Sequence, residues 1–321
     1  MNENLVDTHE LPGARLFSES RCILPLNDPV FTELRHHVRD DDPVLGLYLD
    51  RRARALPWWI MKGPHVANVA FEGRPVLVTL CPVCSSAAAF RAEIEGRRLA
   101  FCVRGMYNGT MLLADTATAS LWSPFNGVAL TGVMRGAILE RLPLSQCLWS
   151  EWLALHPTTL VLYGEQALRE SRGDPSPGSP RIPRALRATL VRPLDERLPH
   201  NTLVLGVENG ASARAYPLET LARVGPVLND LFGGARIVVR CRPGTLQALA
   251  FRRQVGDRVL MFAHSRAGEV YDEQTGSMWN ESGEAVSGPL AGTELTYFNS
   301  GVGEWYEFAA SHPDAEIFEA A

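Results

Sequence analysis

The sequence predicts an α+β, strand-rich protein in which one β-rich unit with a C-terminal helix occurs twice in tandem, in a pseudo-twofold arrangement. Three observations predict this class: motifs that recur at a nearly constant offset, short apolar runs typical of buried strands, and one amphipathic helix near the end of each copy. We call residues 43–163 the first unit and residues 203–319 the second unit. Residues 1–42 form an N-terminal extension, and residues 164–202 form a linker.

The recurrence consists of short motifs that appear in the same order in both units, at offsets between 156 and 161 residues. The matched motifs are Arg54-Ala55-Leu56-Pro57 with Arg214-Ala215-Tyr216-Pro217, Ser120-Leu121-Trp122 with Ser277-Met278-Trp279, and His156-Pro157 with His312-Pro313. The offset changes only in small steps, which fall in predicted turns. Chance does not keep Trp, Gly, Pro and His in register in this way, so the pattern predicts a tandem duplication.

Several segments have the pattern of strands. The apolar runs at residues 75–80 and 236–239 predict buried strands. Residues 87–94 and 97–103 flank Glu95-Gly96 and predict a hairpin. The hairpin would place the strand of Cys102 beside the strand that follows the first apolar run.

The later part of each unit predicts a helix. Before this helix, residues 128–132 and 137–142 of the first unit predict two further strands. Residues 145–156 carry apolar side chains at helical spacing, with Pro157 just past the end, and residues 303–312 form the matching segment. Residues 173–180 of the linker are rich in Pro and Gly, which excludes a helix or a central strand there.

Composition narrows the class of protein. The chain has 321 residues, of which 46% are hydrophobic, enough for one or two cores. The net charge of −5 argues against nucleic-acid binding, which needs a basic patch. No apolar run reaches the roughly 18 residues of a membrane-spanning helix, and the first 20 residues lack the pattern of a secretory signal. We therefore expect a cytoplasmic protein that acts on neither nucleic acid nor membranes. No nucleotide-cofactor motif is present, and the oligomeric state is not indicated.

The strongest chemical signal is the pair Cys81 and Cys84 in Cys81-Pro82-Val83-Cys84, directly after a predicted buried strand. Two sulfurs on one side of a tight turn suit a transition-metal ion such as copper, iron or zinc. They also suit a dithiol redox pair or a nucleophilic thiol, although the spacing favours a metal ligand. The remaining interpretation is two small buried residues at a crowded turn. In the second unit Arg242 and Thr245 take the places of the two cysteines, which predicts one active unit and one supporting unit.

Three further residues are weaker candidates as metal ligands. Cys102 and Met106 would supply soft ligands if their strand lies beside the turn. His65 precedes the buried strand and would act as a ligand or a general base. The alternatives for Cys102 and Met106 are a buried cysteine and a core methionine.

Polar and aromatic residues of the first unit are candidates for contact with a substrate. Arg104 and Tyr107 are predicted to be catalytic with the two cysteines, since Arg can hold an anionic group through two hydrogen bonds. Asn108, Trp122 and Trp58 are predicted to bind substrate. For Arg104 a surface salt bridge, and for Trp122 a place in the core, are the ordinary alternatives.

The combined motifs resemble the family known as the domain of unknown function numbered 3179. Its pattern contains Arg-Ala-Tyr-Pro, then Tyr-Cys-Pro-Leu-Cys-Gly, a Phe-Gly-Val-Ser-Gly stretch running to Tyr-Asn, Ser-Leu-Trp-Ser, and a closing Trp…Trp…His-Pro. The matching stretches here are residues 54–57, 80–85, 101–108, 120–123 and 149–157. The resemblance covers nearly everything from residue 43 onward except the linker. The chain departs from the pattern at Arg104, where the family has Ser, which fits a specialised substrate.

The sequence therefore leads to one main functional hypothesis and two alternatives. We expect a metal- or thiol-dependent enzyme of oxidoreductase type that acts on a small molecule at the Cys-x-x-Cys site. The first alternative is a metal-free isomerase or cyclase, a tailoring enzyme of specialised metabolism, with its pocket between the repeats. The second is a non-catalytic protein that binds a metal or another ligand.

Overall fold

The computed structural model describes residues 11–18, 22–165 and 181–320. The Pro- and Gly-rich segment at residues 173–180 lies outside the described residues. The fold is strand-rich with few helices and several sheets, as the sequence predicts.

Sixteen strands lie in the described residues before the linker. They are β1 (Arg15–Leu16), β2 (Leu26–Asn27), β3 (Phe31–Thr32), β4 (Pro43–Leu49), β5 (Arg52–Pro57), β6 (Val66–Phe71), β7 (Arg74–Cys81), β8 (Ser86–Arg91), β9 (Glu93–Ile94), β10 (Arg97–Arg98), β11 (Phe101–Tyr107), β12 (Thr110–Asp115), β13 (Leu121–Trp122), β14 (Arg141–Leu142), β15 (Ser145–Leu148) and β16 (Leu160–Leu162).

Fourteen strands follow in the described residues after position 180. They are β17 (Leu203–Asn209), β18 (Ser212–Pro217), β19 (Val227–Phe232), β20 (Ala235–Cys241), β21 (Ala248–Arg252), β22 (Gln254–Val255), β23 (Arg258–Val259), β24 (Phe262–His264), β25 (Val270–Asp272), β26 (Met278–Trp279), β27 (Ala285–Ser287), β28 (Tyr297–Phe298), β29 (Ser300–Glu304) and β30 (Glu316–Ile317). The helices of the described residues are α1 (Trp58–Met61), α2 (Trp149–Leu155), α3 (Arg184–Arg187), α4 (Leu218–Val224) and α5 (Trp305–Ser311).

The sheets of the two units have similar strand orders. In the first unit the sheets run β15-β4-β5-β16-β3, β14-β8-β7-β6-β2 and β1-β11-β12-β13. In the second unit they run β29-β17-β18-β30, β19-β20-β21-β28 and β24-β25-β26-β27. In each unit, three consecutive antiparallel strands (β6 to β8, and β19 to β21) form the centre of one sheet, and their two turns lie at its ends.

The outer sheets of both units are fixed by the same polar contact. In the first unit the indole nitrogen of Trp122 donates to the carboxylate of Asp115 at 2.9 Å. In the second unit Trp279 donates to Asp272 at 3.0 Å. Each carboxylate also accepts a backbone N–H three residues later, which closes a turn. A buried Trp needs a partner for its N–H, and the Asp supplies it.

A glycine allows the helix of each unit to pack directly on a strand. A Cβ atom at Gly46 would lie 2.3 Å from the Trp152 ring, and one at Gly206 would lie 2.2 Å from the Phe308 ring. Any larger residue would therefore push the helix away from the sheet.

The described part of the N-terminal extension lies over the first unit. Its strands β1, β2 and β3 pair with β11, β6 and β16.

Some local predictions were wrong. The strand of Cys102, β11, pairs with β12 and β1 and not with β8, and only the short ribbon of β9 and β10 surrounds Glu95-Gly96. Residues 128–132 and 137–142 form mainly isolated bridges and turns, with Arg141–Leu142 as the one regular strand. The helix begins at Trp149, because Ser145–Leu148 pairs with β4 instead.

The two units meet through buried polar contacts. The side-chain amide of Gln146 donates to the Val302 carbonyl at 2.9 Å. Arg141 forms a salt bridge with Glu208 at 3.3 Å, and both side chains are nearly buried. No helix among the described residues is long and apolar enough to cross a membrane.

Candidate functional site

The cysteine turn, residues 81–86, joins β7 to β8 and lies at the end of a buried strand, as the sequence indicates. Cys81 and Ser86 are paired across the turn, and Ser85 has the left-handed φ of 49°. Both cysteines are free thiols, and both are buried. The thiol of Cys84 lies 3.2 Å from the hydroxyl of Ser86.

The second unit closes the cysteine turn from the other side. The backbone N–H of Glu304, at the end of β29, donates to the Cys84 carbonyl at 2.9 Å. A Cβ atom at Gly303 would lie 3.0 Å from Cβ of Ser86, so this glycine allows the close approach. The approach places the first turn of α5, and with it Glu307, against the thiols.

The carboxyl group of Glu307 is the central charged group of the site, since its side chain is fully buried. Burial raises its pKa above the ordinary value, and the neighbouring hydroxyls of Ser86 and Thr110 and thiol of Cys84 lower it by less. None of these neighbours donates a hydrogen bond of good geometry, and both carboxyl oxygens lack a partner among the described residues. A buried carboxylate without partners is costly, which is why burial raises this pKa.

The Cys84 thiol has the same electrostatic environment. Burial raises its pKa well above the ordinary value, and the neighbouring Cys81 and Glu307 raise it further. Ser86 lowers it by less. Cys84 is therefore a protonated thiol at neutral pH and needs a base to become a nucleophile or a metal ligand.

Tyr306 forms another wall of the site. Its hydroxyl donates to the Gly109 carbonyl at 3.3 Å, and its ring packs in the same core cluster as Cys81 and Cys84. Burial raises its pKa, and the nearby Cys84 and Cys81 thiols add to the effect. The phenol of Tyr306 and the thiol of Cys84 therefore keep their protons at neutral pH.

The linker covers the site. Val83, Ile182 and Leu194 are partly buried and pack against the cluster that contains the two cysteines. Hydrogen bonds attach the linker to the first unit, from Asn108 N–H to the Thr189 carbonyl at 2.9 Å, from Gly109 N–H to the Thr189 hydroxyl at 3.1 Å and from Val191 N–H to the Asn108 side-chain oxygen at 3.3 Å. The described part of the linker therefore contributes to the burial of the thiols.

His65 lies next to the strand end that carries Cys81. Its Nδ1 is 3.2 Å from the Leu80 carbonyl, and its own carbonyl accepts from Leu80 N–H at 2.8 Å. Its backbone is left-handed, with φ of 61°. The imidazole thus stabilises the end of β7, and its predicted role as a ligand or base stays a prediction.

Cys102 is separated from the cysteine pair by the geometry of its strand. It forms a disulfide with Cys22 of the N-terminal extension. Its neighbours Phe101 and Val103 point into the cluster of Cys81, and since side chains alternate along a strand, Cys102 points the other way. This corrects the prediction of Cys102 as a metal ligand. Disulfides persist mainly in oxidising compartments, so the cytoplasmic location also stays a prediction.

Four other candidates lie on or beside the strand of Cys102. Met106 is partly buried opposite Met111. Arg104 donates to the Phe17 carbonyl of the N-terminal extension, so it holds backbone in place. Tyr107 packs with the cluster of Leu11, Leu112, Ala114 and Leu121. Asn108 donates to the Ala310 carbonyl of α5 at 2.8 Å and so connects the two units.

The two tryptophan candidates are fully buried. Trp122 is held by Asp115 and packs edge-to-face on Phe101 at 5.6 Å in a core position, and its role as a substrate contact stays a prediction. Trp58 borders a large cavity between the units, and its indole nitrogen has no partner among the described residues.

Sequence reasoning missed Glu307 and Tyr306, although the second unit was predicted to support the site. A Glu in the first turn of a helix is normally read as a capping residue. The available signal was Tyr306, which stands where the first unit has the exposed Ser150. Within the described residues no group of three His, Cys, Asp or Glu side chains is arranged to hold a metal ion.

The model of the DUF3179 family, proteins of unknown function, matches residues 22–315. The chain belongs to this family. The match begins at Cys22 of the disulfide and includes both units and the linker, so the DUF3179 model spans nearly the whole molecule described above. Neither the curated proteins nor the solved structures contain a match to the chain.

Proposed function

We propose that the chain is a thiol-dependent oxidoreductase that reduces a small-molecule disulfide with Cys81 and Cys84. The observation that carries the proposal is the buried carboxyl group of Glu307, which lies beside Cys84 and has no hydrogen-bond partner among the described residues. Buried ionisable groups with perturbed pKa values concentrate at functional sites. A carboxyl group whose pKa is raised by burial is a stronger general base than an ordinary one.

Cys81 is suited to attack the substrate, because it precedes Cys84 in the turn and keeps 5% of its surface exposed, whereas Cys84 keeps none. The Cys81 thiolate attacks one sulfur of the substrate disulfide. A bond forms between these sulfurs, the substrate S–S bond breaks, and the first half leaves with the proton that Cys81 gave up.

Glu307 serves the second step. Its carboxylate takes the proton of the Cys84 thiol, and the Cys84 sulfur attacks Sγ of Cys81. The bond between Cys81 and the substrate sulfur breaks, and the second half leaves as a thiolate that takes the proton back from Glu307. Two cysteine thiols and one disulfide thereby become one protein disulfide and two thiols.

A metal centre at the same turn is the second candidate. The two thiols and the carboxyl of Glu307 form a mixed sulfur and oxygen set that suits zinc, iron or copper. Since the described side chains are not arranged as three ligands around one point, binding would require side-chain rotation.

We also infer that the two units arose by duplication and that the second lost its cysteines. The matched contacts of Trp122 and Trp279 support this, as do those of Gly46 and Gly206. The cysteine turn then corresponds to residues 242–247 of the second unit, which we call the arginine turn.

Reaction of the reduced protein with oxidised glutathione tests the proposal, with the products followed by mass spectrometry after alkylation. The wild-type protein should form the Cys81–Cys84 disulfide and release two glutathione molecules in doing so. Cys84→Ser should stop at a mixed disulfide on Cys81 with one molecule released. Glu307→Gln should form the mixed disulfide at the normal rate and resolve it at least tenfold more slowly.

Two controls separate this chemistry from general thiol reactivity and from metal binding. Cys147→Ser removes a buried free thiol outside the turn and should change nothing. Elemental analysis of protein purified without an affinity metal should show less than a tenth of an equivalent of copper, iron or zinc. One equivalent that disappears in Cys81→Ser/Cys84→Ser would favour the metal centre. A protein that forms no Cys81–Cys84 disulfide would refute the oxidoreductase.

A further inference from the structure

A cavity of about 880 Å³ lies between the two units, and neither thiol of the cysteine turn lines it. Sites for small organic ligands have volumes of roughly 300 to 1,000 Å³. Its walls come from β15 and α2 of the first unit, the end of the linker, α4, and the arginine turn. Arg104 and Tyr107 are not among the residues that line it.

The arginine turn, which borders this cavity, lacks the aromatic wall of the cysteine turn. Tyr306 fills the space beside the cysteine turn, and its counterpart on α2, at the offset of 156 residues, is Ser150. Ser150 is exposed and does not fill the corresponding space. The site beside the cysteines is therefore closed, whereas the corresponding region beside the arginine turn is open.

Buried polar atoms without partners lie at the cavity. Trp58 and Gln146 both line it, and both are almost fully buried. The indole N–H of Trp58 and the side-chain oxygen of Gln146 have no hydrogen-bond partner in the described structure. Close to the cavity wall, both side-chain amide atoms of Gln247, which follows the lining residue Leu246, also lack partners among the described residues.

Such atoms are uncommon in folded proteins, because a buried donor or acceptor without a partner costs about 1–3 kcal/mol. One donor and one acceptor at the same cavity indicate a ligand that offers the complementary pair. The rest of the lining is mainly apolar, including Leu198, Leu203, Leu218 and Leu246.

We infer that this cavity is a binding site for a small uncharged organic molecule with an apolar body, a hydrogen-bond acceptor for Trp58 and a donor for Gln146. The charged side chains of the described lining are Glu151, Glu219 and Arg223, and Glu151 is already paired with Arg242 at 3.4 Å. An apolar ligand body fits this wall better than a charged one. The site is separate from the thiol chemistry proposed above.

Titration with 4-amino-N-methylphthalimide tests the inference on the full-length protein. This uncharged aromatic molecule carries carbonyl acceptors for Trp58 and an amine donor for Gln146, and its fluorescence rises in an apolar site. We expect saturable binding of one equivalent. Ala222→Trp and Thr245→Trp, at two partly buried lining positions, should each weaken binding at least tenfold by filling the cavity. Gln146→Leu should weaken it about fivefold by removing the acceptor.

Matched controls locate the binding. Leu231→Trp adds the same indole at a position that is 60% exposed and outside the cavity, and it should leave the affinity unchanged. Cys81→Ser should also leave it unchanged, which separates this site from the cysteine turn. Thermal unfolding of each variant shows that it is folded. Absence of saturable binding, or equal affinity in the wild-type protein and both cavity-filling variants, would overturn the inference.

Discussion

The cysteine turn and the arginine turn face the helix of the opposite unit, but they meet it in different ways. At the cysteine turn, Glu307 of α5 is buried beside Cys84, and its carboxyl oxygens have no hydrogen-bond partner in the part of the chain that the structure describes. At the arginine turn, the corresponding Glu151 of α2 accepts from Leu148 N–H at 3.0 Å and pairs with Arg242 at 3.4 Å. The carboxyl group of Glu151 therefore has a backbone N–H donor and a cation as partners, whereas that of Glu307 has neither among the described residues.

The difference shows how one backbone arrangement supports two kinds of surface. A Glu in the first turn of a helix stabilises that helix when it caps its own N-terminus. The Glu307 carboxyl group does not accept the N–H at the start of its helix. That N–H, from Glu304, donates instead to the Cys84 carbonyl. A group that is withdrawn from its structural partners and buried beside a thiol is a candidate for chemistry.

The largest expected effect concerns the aromatic wall, which only the cysteine turn has. Tyr306→Ala should lower the free energy of unfolding by about 3–5 kcal/mol, because it removes a fully buried aromatic side chain. Ser150→Ala, at the corresponding exposed position, should change it by less than about 0.5 kcal/mol. Urea unfolding measures both. A loss below about 1.5 kcal/mol for Tyr306→Ala would show that the wall is not tightly packed.

The second effect concerns the disulfide, which the first unit has and the second lacks, since Ala263 stands in the place of Cys102. Cys22→Ser/Cys102→Ser should lower the free energy of unfolding by about 2–4 kcal/mol, because the bond restricts the unfolded chain. Unfolding of the wild-type protein in reducing agent should show the same loss, while the double variant should not respond to reducing agent. A wild-type protein insensitive to reduction would contradict this.

Much of the fold could be predicted because it depends on local patterns. The apolar runs of β7 and β20 and the helix ends at His156 and His312 follow from periodicity and turn residues. The pairing of β11 could not be predicted, since periodicity does not determine which strand is the neighbour. The predicted hairpin with β8 assumed sequential pairing, and β11 instead pairs with β12 and the N-terminal β1.

The site was predictable only in its local part. Cys81 and Cys84 are close in sequence, so their spacing identifies them. Glu307 is more than 220 residues away and comes to Cys84 through the packing of one unit on the other. Arg104 and Trp122 were selected by residue type, and the structure uses both for packing and backbone contacts.

The third effect is a pH dependence of the free energy of unfolding, which we expect for Glu307 and not for Glu151. Burial raises the pKa of Glu307 above its unfolded value of 4.5. Its contribution to stability is therefore fully present below pH 4.5 and is lost as the pH rises towards the folded pKa. Glu307→Gln should remove this dependence, so the variant gains stability relative to the wild type as the pH rises, by about 1.4 kcal/mol per unit of raised pKa.

Urea unfolding of both proteins between about pH 4 and pH 9 gives this difference directly. Glu151→Gln is the matched control, since it changes the corresponding position on α2. Its difference from the wild type should not grow with pH in the same way. A Glu307→Gln protein that is less stable than the wild type at about pH 8 would mean that the carboxylate is stabilised in the folded state, and the proposed base would then be an ordinary ion pair.

The smallest effect concerns the ion pair between Arg242 and Glu151 at the arginine turn. Arg242→Ala should cost less than about 1 kcal/mol, because 43% of the Arg242 side chain is exposed and solvent screens the pair. A double-mutant cycle with Glu151→Gln measures the interaction, and about 1 M salt should reduce it further. A coupling above about 2 kcal/mol would show that the arginine turn depends on its ion pair. The ion pair of Arg242 with Glu151 would then be a main stabilising contact of the arginine turn. Glu151 would serve the stability of the fold, in contrast to Glu307, whose carboxyl group has no such partner among the described residues.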